Sequence, residues 1–210
     1  EAMLVSDLEG KETKVGTPMV AGSKVEFKVL DQKKAPLAWA IYDPQSPLAC
    51  RVLSTEKKKP DLKFFQLKIQ KALKLRHHFD RKLTNAYRLI NGEGDLLPGL
   101  VVDLYNTTAV VQCDGPGMEE FWTQYPLSDW LQEDPAINFV ILKPRANKKL
   151  RALSQEAPPF IIPILEHGAQ FEVDIELGQK TGFFLDQRDN RHYIRSVCQN
   201  LTVLNLFSYT

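Results

Sequence analysis

The run 180–191, which reads KTGFFLDQRDNR, constrains what this chain can fold into more than any other stretch. It combines a Thr-Gly turn, two adjacent aromatic residues and a dense polar segment of both charge signs. Such a run can bind a flat polar ligand, or it can cap a helix that continues to Cys198, with Asp186 as the N-cap. The segment 202–210, TVLNLFSYT, is an apolar strand that becomes polar at its end. This pattern is typical of a nucleotide-type site at the carboxyl edge of a parallel sheet.

Length, composition and cysteine usage indicate an ordinary globular protein. The chain has 210 residues, of which 43% are hydrophobic and 25% charged, enough for one or two domains with a real core. The sequence has neither an apolar run of membrane-spanning length nor a signal-peptide pattern, so we expect no membrane association. Cys50, Cys113 and Cys198 are widely spaced, which indicates reduced thiols in the cytoplasm rather than a disulfide framework or a metal site.

The net charge of +1 hides a segregation of charge along the chain. Residues 57–82 contain ten Lys or Arg and only two acids, and residues 143–151 form a second basic cluster without acids. Segregation of this kind can mark a face that binds a polyanion, or it can be a well-solvated surface. The residues alone leave both interpretations open.

Residues 3–83 divide into a strand region and a helix. Residues 25–29, 37–41 and 49–53 read as short strands separated by turns, which favours a small β-barrel. A helix is predicted from Asp61 to Leu83, with the acid at its positive end. Its apolar stripe is expected to be core and comprises Leu62, Phe65, Ile69, Ala72, Leu73, Phe79 and Leu83.

Residues 88–175 read as turns, hairpins and one interrupted helix. The run 88–99 is a dense turn signal, residues 100–112 a hairpin, 117–131 a helix broken at Pro126, and 139–142 a strand. Residues 160–175 read as a second hairpin that turns at His167 and Gly168. Glu93, Asp95 and Asp103 are possible catalytic carboxylates, but acids in a glycine-rich turn more commonly bond backbone amides.

Three blocks together resemble one protein family in order and spacing. They are KTGFFLDQRDNR, VLNLFSYT and, at 87–105, YRLINGEGDLLPGLVVDLY. The chain is similar to the S-adenosylmethionine (SAM)-dependent methyltransferases that modify cytosine carbon 5 in large-subunit ribosomal RNA. The resemblance implies an α+β fold, with a small PUA-like β-barrel, an α/β middle domain and the first elements of a truncated Rossmann-like class I methyltransferase domain. The expected boundaries are 1–56 for the barrel, whose start is missing, 57–84 for a basic linking helix, 85–158 for the middle domain, 159–185 for a hairpin leading to the cofactor motif, and 186–210 for the truncated domain.

The resemblance also implies site residues. The residues expected to bind SAM are Thr181, Gly182, Phe183, Phe184, Gln187, Arg188, Asn205, Phe207, Ser208 and Tyr209. The residues expected to bind RNA are Arg51, Lys63, Lys71, Lys74, Arg81, Lys82, Lys143, Arg145, Lys148 and Lys149. For Phe183, Phe184 and Leu185, packing of the hairpin onto the sheet is the alternative, and for Arg51 it is a surface salt bridge.

The chemistry that the resemblance implies needs a cysteine nucleophile, which adds to carbon 6 of the base and activates carbon 5. None of the three cysteines matches its position, so no catalytic residue is named and the nucleophile is expected beyond residue 210. The chain is then an N-terminal fragment, inactive alone, of a cytoplasmic enzyme whose partner is ribosomal RNA and which could form a homodimer. Two alternatives stay open: a non-catalytic RNA-binding module, and a SAM-dependent methyltransferase with a different target. The final strand is expected to be disordered or non-natively paired, because a parallel-sheet strand needs neighbours on both sides.

Overall fold

The N-terminal part of the chain is a five-stranded antiparallel meander. The computed structural model describes residues 3–6, 12–15, 25–30, 36–43, 46–145 and 149–206. The strands pair in sequence order and are β1 (Met3–Ser6), β2 (Glu12–Val15), β3 (Val25–Leu30), β4 (Pro36–Tyr42) and β5 (Cys50–Ser54). The strands predicted at 25–29, 37–41 and 49–53 are thus present. Within the described ranges β1 and β5 are the outer strands of an open sheet, so the closed PUA-like barrel stays a prediction.

One helix, α1 (Leu62–Leu75), links this sheet to the rest of the chain. The carboxylate of Asp61 accepts a hydrogen bond from the Phe64 amide at 2.9 Å and caps the helix, which confirms the predicted start of the helix at this acid. The predicted end at Leu83 is wrong. The helix ends at Leu75, because the amides of Arg76 and His77 bond carbonyls only three residues back, at 3.0 and 3.2 Å, and so close a tight turn. The Arg76 side chain then pairs with Asp95 through two hydrogen bonds of 2.7 and 2.8 Å.

Because α1 is shorter than predicted, its row of buried apolar side chains is shorter as well. Phe65, Ile69, Ala72 and Leu73 are buried, as predicted. Two residues at the ends of the predicted stripe are exposed, namely Leu62 and Leu83. The periodicity located the buried face of the helix, but it did not show where tertiary contacts end it.

The middle of the chain forms a second, mixed five-stranded sheet in the order β10–β9–β8–β7–β6. Its strands are β6 (Ala86–Asn91), β7 (Leu100–Tyr105), β8 (Thr108–Cys113), β9 (Phe139–Leu142) and β10 (Arg151–Ala152). The only parallel pairing among these strands joins β8 to β9, and the crossover between them carries α2 (Pro116–Thr123) and α3 (Leu127–Leu131). The sequence predicted the β7–β8 hairpin, β9 and the helix break, but it missed β6, whose last residues lie within the turn signal.

Both faces of the mixed sheet are buried. Successive residues of β8 point to opposite sides: Ala109 and Val111 join a core with α1, α2 and α3, whereas Val110 joins a second core. The second core contains Phe183 and the inward side chains of a hairpin, β11 (Ile161–Glu166) and β12 (Ala169–Asp174). Burial on both faces explains why β7 and β8 read as nearly continuous apolar runs.

The last described element is α4 (Arg188–Val197), which follows a single 3₁₀ turn at Leu185–Gln187. The predicted N-cap at Asp186 is wrong, since Gln187 occupies the cap position and makes no side-chain capping bond. Residues 201–206 are exposed and form no strand. No helix in the described part of the chain is long and apolar enough to cross a membrane.

Candidate functional site

A tight turn at 178–184 brings the candidate residues together. Lys180 has φ +54° and Gly182 has φ +149°, so the backbone reverses sharply around Thr181. A Cβ on Gly178 would lie 2.3 Å from the Asp174 carbonyl oxygen and 2.4 Å from that of Gly182. The close approach of backbone to backbone therefore requires glycine at 178.

A buried polar network fixes this turn to the mixed sheet. The Thr181 hydroxyl donates to an Asp103 carboxylate oxygen at 2.6 Å and lies 2.7 Å from the Tyr105 hydroxyl. The Tyr105 hydroxyl in turn accepts a hydrogen bond from the Phe183 amide at 3.2 Å. Arg88 closes the network with an ion pair to Asp103. Burial, together with the nearby charge of Asp103, raises the pKa of Tyr105, so this phenol stays protonated and holds the turn.

The network assigns roles to the carboxylates that sequence reasoning weighed. The Asp103 side chain is 1% exposed and is bonded by the Arg88 and Thr181 side chains, which fits positioning rather than catalysis. Glu93 accepts a hydrogen bond from the Gly99 amide at 3.2 Å and Asp95 accepts one from the Asn91 amide at 2.6 Å. The expectation that acids in this glycine-rich turn bond backbone amides is thus confirmed for Glu93 and Asp95.

Two open clefts flank the turn. The first, which we call the aromatic cleft, has a volume of about 550 Å³. Phe79 stacks on Tyr87 with ring centroids 4.3 Å apart, and the Arg188 guanidinium lies 4.9 Å from the centre of the Phe79 ring. The cleft is lined by Arg76, His78, Phe79, Tyr87, Arg88, Asn91, Lys180, Phe183, Leu185, Asp186 and Arg188.

The second cleft, which we call the lysine cleft, has a volume of about 630 Å³. The Lys143 ammonium donates to the Gly178 carbonyl at 2.6 Å, and burial lowers the pKa of this lysine. Arg145 pairs with Asp114 at 2.8 Å, and Lys149 is exposed. The cleft is lined by Gln112, Lys143, Pro144, Arg145, Lys149, Leu150, Glu176, Leu177, Gly178 and Lys180.

The residues expected to bind the cofactor divide into interior and surface groups. Thr181, Gly182 and Phe183 are buried, and the Phe183 ring belongs to the second core, so packing accounts for that side chain. Phe184 is half-buried and has the Lys180 ammonium 4.3 Å from its ring centre. Gln187 and Asn205 are exposed, and Arg188 lines the aromatic cleft. Phe207, Ser208 and Tyr209 lie outside the described residues.

An ion pair that sequence reasoning missed anchors α4 beside the turn. Arg191 donates two hydrogen bonds of 2.8 Å to the buried Glu166 carboxylate and a third, of 2.9 Å, to the Phe184 carbonyl. Burial raises the pKa of Glu166, and the Arg191 charge opposes that shift. Arg191 lies within the run 180–191, so its presence near the site was expected. Its partner was not, because nothing in the sequence around Glu166 indicates that this hairpin residue pairs with Arg191.

The residues expected to bind RNA are only partly available. Arg51 is a correction: its side chain is 5% exposed and bridges Glu93 and Asp114, so it is not available to contact RNA. Arg81 is partly engaged, with an ion pair to Asp134 at 2.7 Å and a hydrogen bond to the Tyr87 hydroxyl. The exposed lysines are Lys63, Lys71 and Lys74 on α1, Lys82 in the turn after it, and Lys149 in the lysine cleft. Lys148 lies outside the described residues.

Two of the three cysteines, Cys50 and Cys113, are poor candidates for a nucleophile in this part of the fold. Burial raises the pKa of the Cys113 thiol to about 12 and also raises that of Cys50. Cys198 is half-buried at the end of α4. Within the described ranges no group of three or more His, Cys, Asp or Glu side chains is arranged to hold a metal ion.

Comparison with known proteins relates the chain to methyltransferases. No protein-family profile matches it. It is 35% identical over 193 residues to the ribosomal RNA large subunit methyltransferases I of Shigella boydii and Escherichia coli K12. The alignment covers 87% of this chain and 48% of each relative, so the chain spans about half the length of these proteins.

Solved structures show the same fold. A SAM-dependent methyltransferase from Streptococcus mutans matches with a TM-score of 0.72 and 24% identity, over 83% of this chain and 46% of that one. A methyltransferase crystallised with S-adenosylhomocysteine (SAH) matches equally well, over 84% and 46%. The chain therefore shares its fold with part of SAM-dependent methyltransferases and is similar in sequence to ribosomal RNA large subunit methyltransferases.

Proposed function

We propose that this chain is the RNA-recognition half, with part of the cofactor site, of a cytoplasmic SAM-dependent methyltransferase that modifies carbon 5 of a cytosine in large-subunit ribosomal RNA. The observation that carries the proposal is the 35% identity over 193 residues to ribosomal RNA large subunit methyltransferases. The block resemblance in the sequence supports the choice of cytosine carbon 5. Homodimerisation of the parent protein stays a prediction.

The surface beside the turn suits a SAM-type ligand. Such a ligand has a flat adenine, polar ribose hydroxyls and an amino-acid carboxylate. The half-buried Phe184 ring offers an apolar surface, the Arg188 guanidinium offers a partner for a carboxylate, and Gln187 offers amide hydrogen bonds. When bound, the cofactor supplies the methyl group. The buried Thr181, Gly182 and Phe183 would contribute by holding the backbone of the turn in place.

Two cysteines of this chain, Cys50 and Cys113, are poorly suited to attack carbon 6 of the base. A thiol must ionise to attack, and burial opposes ionisation of Cys113 and Cys50. The proposal therefore limits the role of this chain to recognition of the RNA and orientation of the ligands. The exposed lysines of α1 would contact phosphates without reading the sequence.

The test is genetic and chemical. We expect that deletion of the gene encoding this chain removes one 5-methylcytidine from large-subunit ribosomal RNA, measured by mass spectrometry of nucleosides from mapped fragments. Restoring the intact gene should restore the modification. Loss of a different methylated nucleotide would replace cytosine carbon 5 with another target.

Binding measurements on the chain itself distinguish the recognition half of a methyltransferase from a stand-alone RNA-binding module. Titration with a ribosomal RNA hairpin should show affinity that falls steeply with salt, and calorimetry with SAM should show no measurable binding by this half alone. If the deletion changes no methylated nucleotide while RNA binding persists, the non-catalytic RNA-binding module is the better description. SAM binding without RNA binding would contradict the assignment of a recognition half.

A further inference from the structure

Lys180 lies where the two clefts meet. It lines both the aromatic cleft and the lysine cleft, and its backbone is held in the left-handed region by the turn that Thr181 anchors. Its ammonium is 3.4 Å from Asp186, and both side chains are about half exposed or more. An exposed pair at this distance contributes little, so an incoming anion can compete with Asp186 for Lys180.

The lysine cleft has an excess of positive charge. Four of its lining side chains are basic and one, Glu176, is acidic. The Lys143 ammonium is half-buried and bonds the neutral Gly178 carbonyl, while the charge of Asp174 acts on it from nearby. A partly desolvated ammonium has much to gain from an anionic ligand. Lys149 is exposed on the rim and can follow a flexible anion.

The aromatic cleft differs in chemistry from the lysine cleft. All three of its guanidinium groups already pair with carboxylates: Arg76 and Arg88 inside the fold, and Arg188 with the exposed Asp189 at 3.1 Å. What it adds is a column of rings, in which His78 lies 4.3 Å from Phe79 and Phe79 lies 4.3 Å from Tyr87. His78 is exposed at the outer end of this column.

Cationic side chains in one cleft and aromatic rings in the adjacent cleft suit a ligand that carries both phosphates and bases. A single RNA strand carries a phosphate at every nucleotide and presents unstacked bases, whereas a duplex hides its bases. We propose that a single RNA strand runs from the lysine cleft across Lys180 into the aromatic cleft, with one phosphate on Lys180, one on Lys149 and a base against His78.

This path rests on the proposed function and goes beyond it, because it assigns Lys180 a role in RNA binding and places the strand along both clefts. The reaction requires the target base to reach the methyl donor. A strand crossing Lys180 arrives beside Phe184 and Arg188, the residues proposed to hold that donor. The buried network of Asp103, Tyr105 and Thr181 would keep Lys180 at the crossing point.

The experiment measures binding of the unaltered chain and its variants to fluorescein-labelled dodecameric oligouridylate, by anisotropy across a salt series. Lys180→Gln and Lys149→Gln should each weaken binding by about threefold to tenfold and lower the salt slope by about 0.7. Lys58→Gln removes the same charge from a side chain that is 79% exposed and lines neither cleft, so it should leave both quantities unchanged. Lys180→Arg should restore the affinity, because it keeps the charge.

Several results would overturn the path. The path would be wrong if Lys180→Gln bound oligouridylate with the same affinity and the same salt slope as Lys58→Gln. Another contrary result is failure of the unaltered chain to bind oligouridylate, or tighter lysine-dependent binding to an RNA duplex of the same length. The nucleoside mapping reports separately on the proposed function, so loss of 5-methylcytidine in the deletion strain together with any of these results would reject only the path.

Discussion

Individual residues of this chain carry roles that their types alone do not reveal. Thr181 and Asp103 are 78 positions apart and form a buried hydrogen bond of 2.6 Å. The family resemblance implies a cofactor role for Thr181, and the residue type of Asp103 alone allows a catalytic acid. The structure joins them in one network that sets the shape of the turn.

Thr181→Val tests that network. Valine matches the shape of threonine but leaves Asp103 and Tyr105 without the hydroxyl, and a lost partner in a buried site costs about 1–3 kcal/mol. We expect the free energy of unfolding, measured with urea, to fall by that amount. Thr181→Ser is the matched control, since it keeps the hydroxyl and should lose less stability. Equal stability of the two variants would contradict the role of the network.

Arg51→Met tests the correction to the RNA-binding set. Methionine keeps an apolar stem but removes the charge that bridges Glu93 and Asp114. Because the two carboxylates keep part of their hydration, we expect a loss of about 1–3 kcal/mol in unfolding free energy. Oligouridylate affinity should be unchanged.

Lys74→Met is the counterpart on the exposed face of α1 and should show the opposite pattern, with weaker RNA binding and unchanged stability. If Arg51→Met weakened RNA binding without loss of stability, the structural role of Arg51 would be wrong.

At the scale of elements, the N-terminal sheet and α2 pack closely together at Asp43 and Gly117. Gly117 stands in the first turn of α2, and a Cβ added there would lie 1.8 Å from an oxygen of the buried Asp43, which follows β4. A carboxylate at a helix N-terminus is electrostatically favourable. The glycine therefore lets the acid reach the helix end.

Gly117→Ala should disturb this joint. The added methyl group forces Asp43 or α2 to move, and overpacking of this kind costs about 1–3 kcal/mol. A double-mutant cycle with Asp43→Ala, followed by urea unfolding, should show coupling, because the smaller side chain removes the clash. Strictly additive losses would mean that the two residues do not meet as described.

For the molecule as a whole, burial of titratable groups predicts how stability changes with pH. The pKa of Cys113 rises from an ordinary value of 9.0 to about 12 in the folded chain, and that of Tyr105 rises as well. The unfolded chain therefore loses these protons first as the pH increases. Stability contributed by the protonated groups is present below pH 9 and falls as the pH approaches 12, by about 1.4 kcal/mol per pH unit for one group.

Urea unfolding at pH 8 and pH 10 checks this prediction. Cys113→Ala should reduce the loss of stability between the two pH values, because its thiol no longer ionises on unfolding. Cys198→Ala, at a half-buried thiol on the end of α4, should keep the loss seen in the unaltered chain. Identical pH dependence in both variants would show that Cys113 is not the group responsible.

Local signals located most elements and a smaller share of the site. Alternating and apolar runs found β3, β4, β5, β7, β8, β9 and both strands of the second hairpin, and Asp61 marked the start of α1. The same signals missed β6, because its last residues share the sequence with a turn, and they extended α1 past Arg76. The cofactor role of the run 180–191 stays a prediction, and the partners of Phe183 and Arg191 within the fold, Tyr105 and Glu166, are far away in sequence.

The sequence by itself determined most of the segments that form strands and helices, because hydrophobic period, capping and turn residues act over a few positions. It also contained the family resemblance. Only the tertiary structure decided that Arg51 is a buried bridge, that the hairpin covers the second face of the mixed sheet, and that Lys180 stands between two clefts. These facts depend on contacts between residues tens of positions apart, and a buried charge or hydroxyl takes whatever partner packing brings within hydrogen-bond distance.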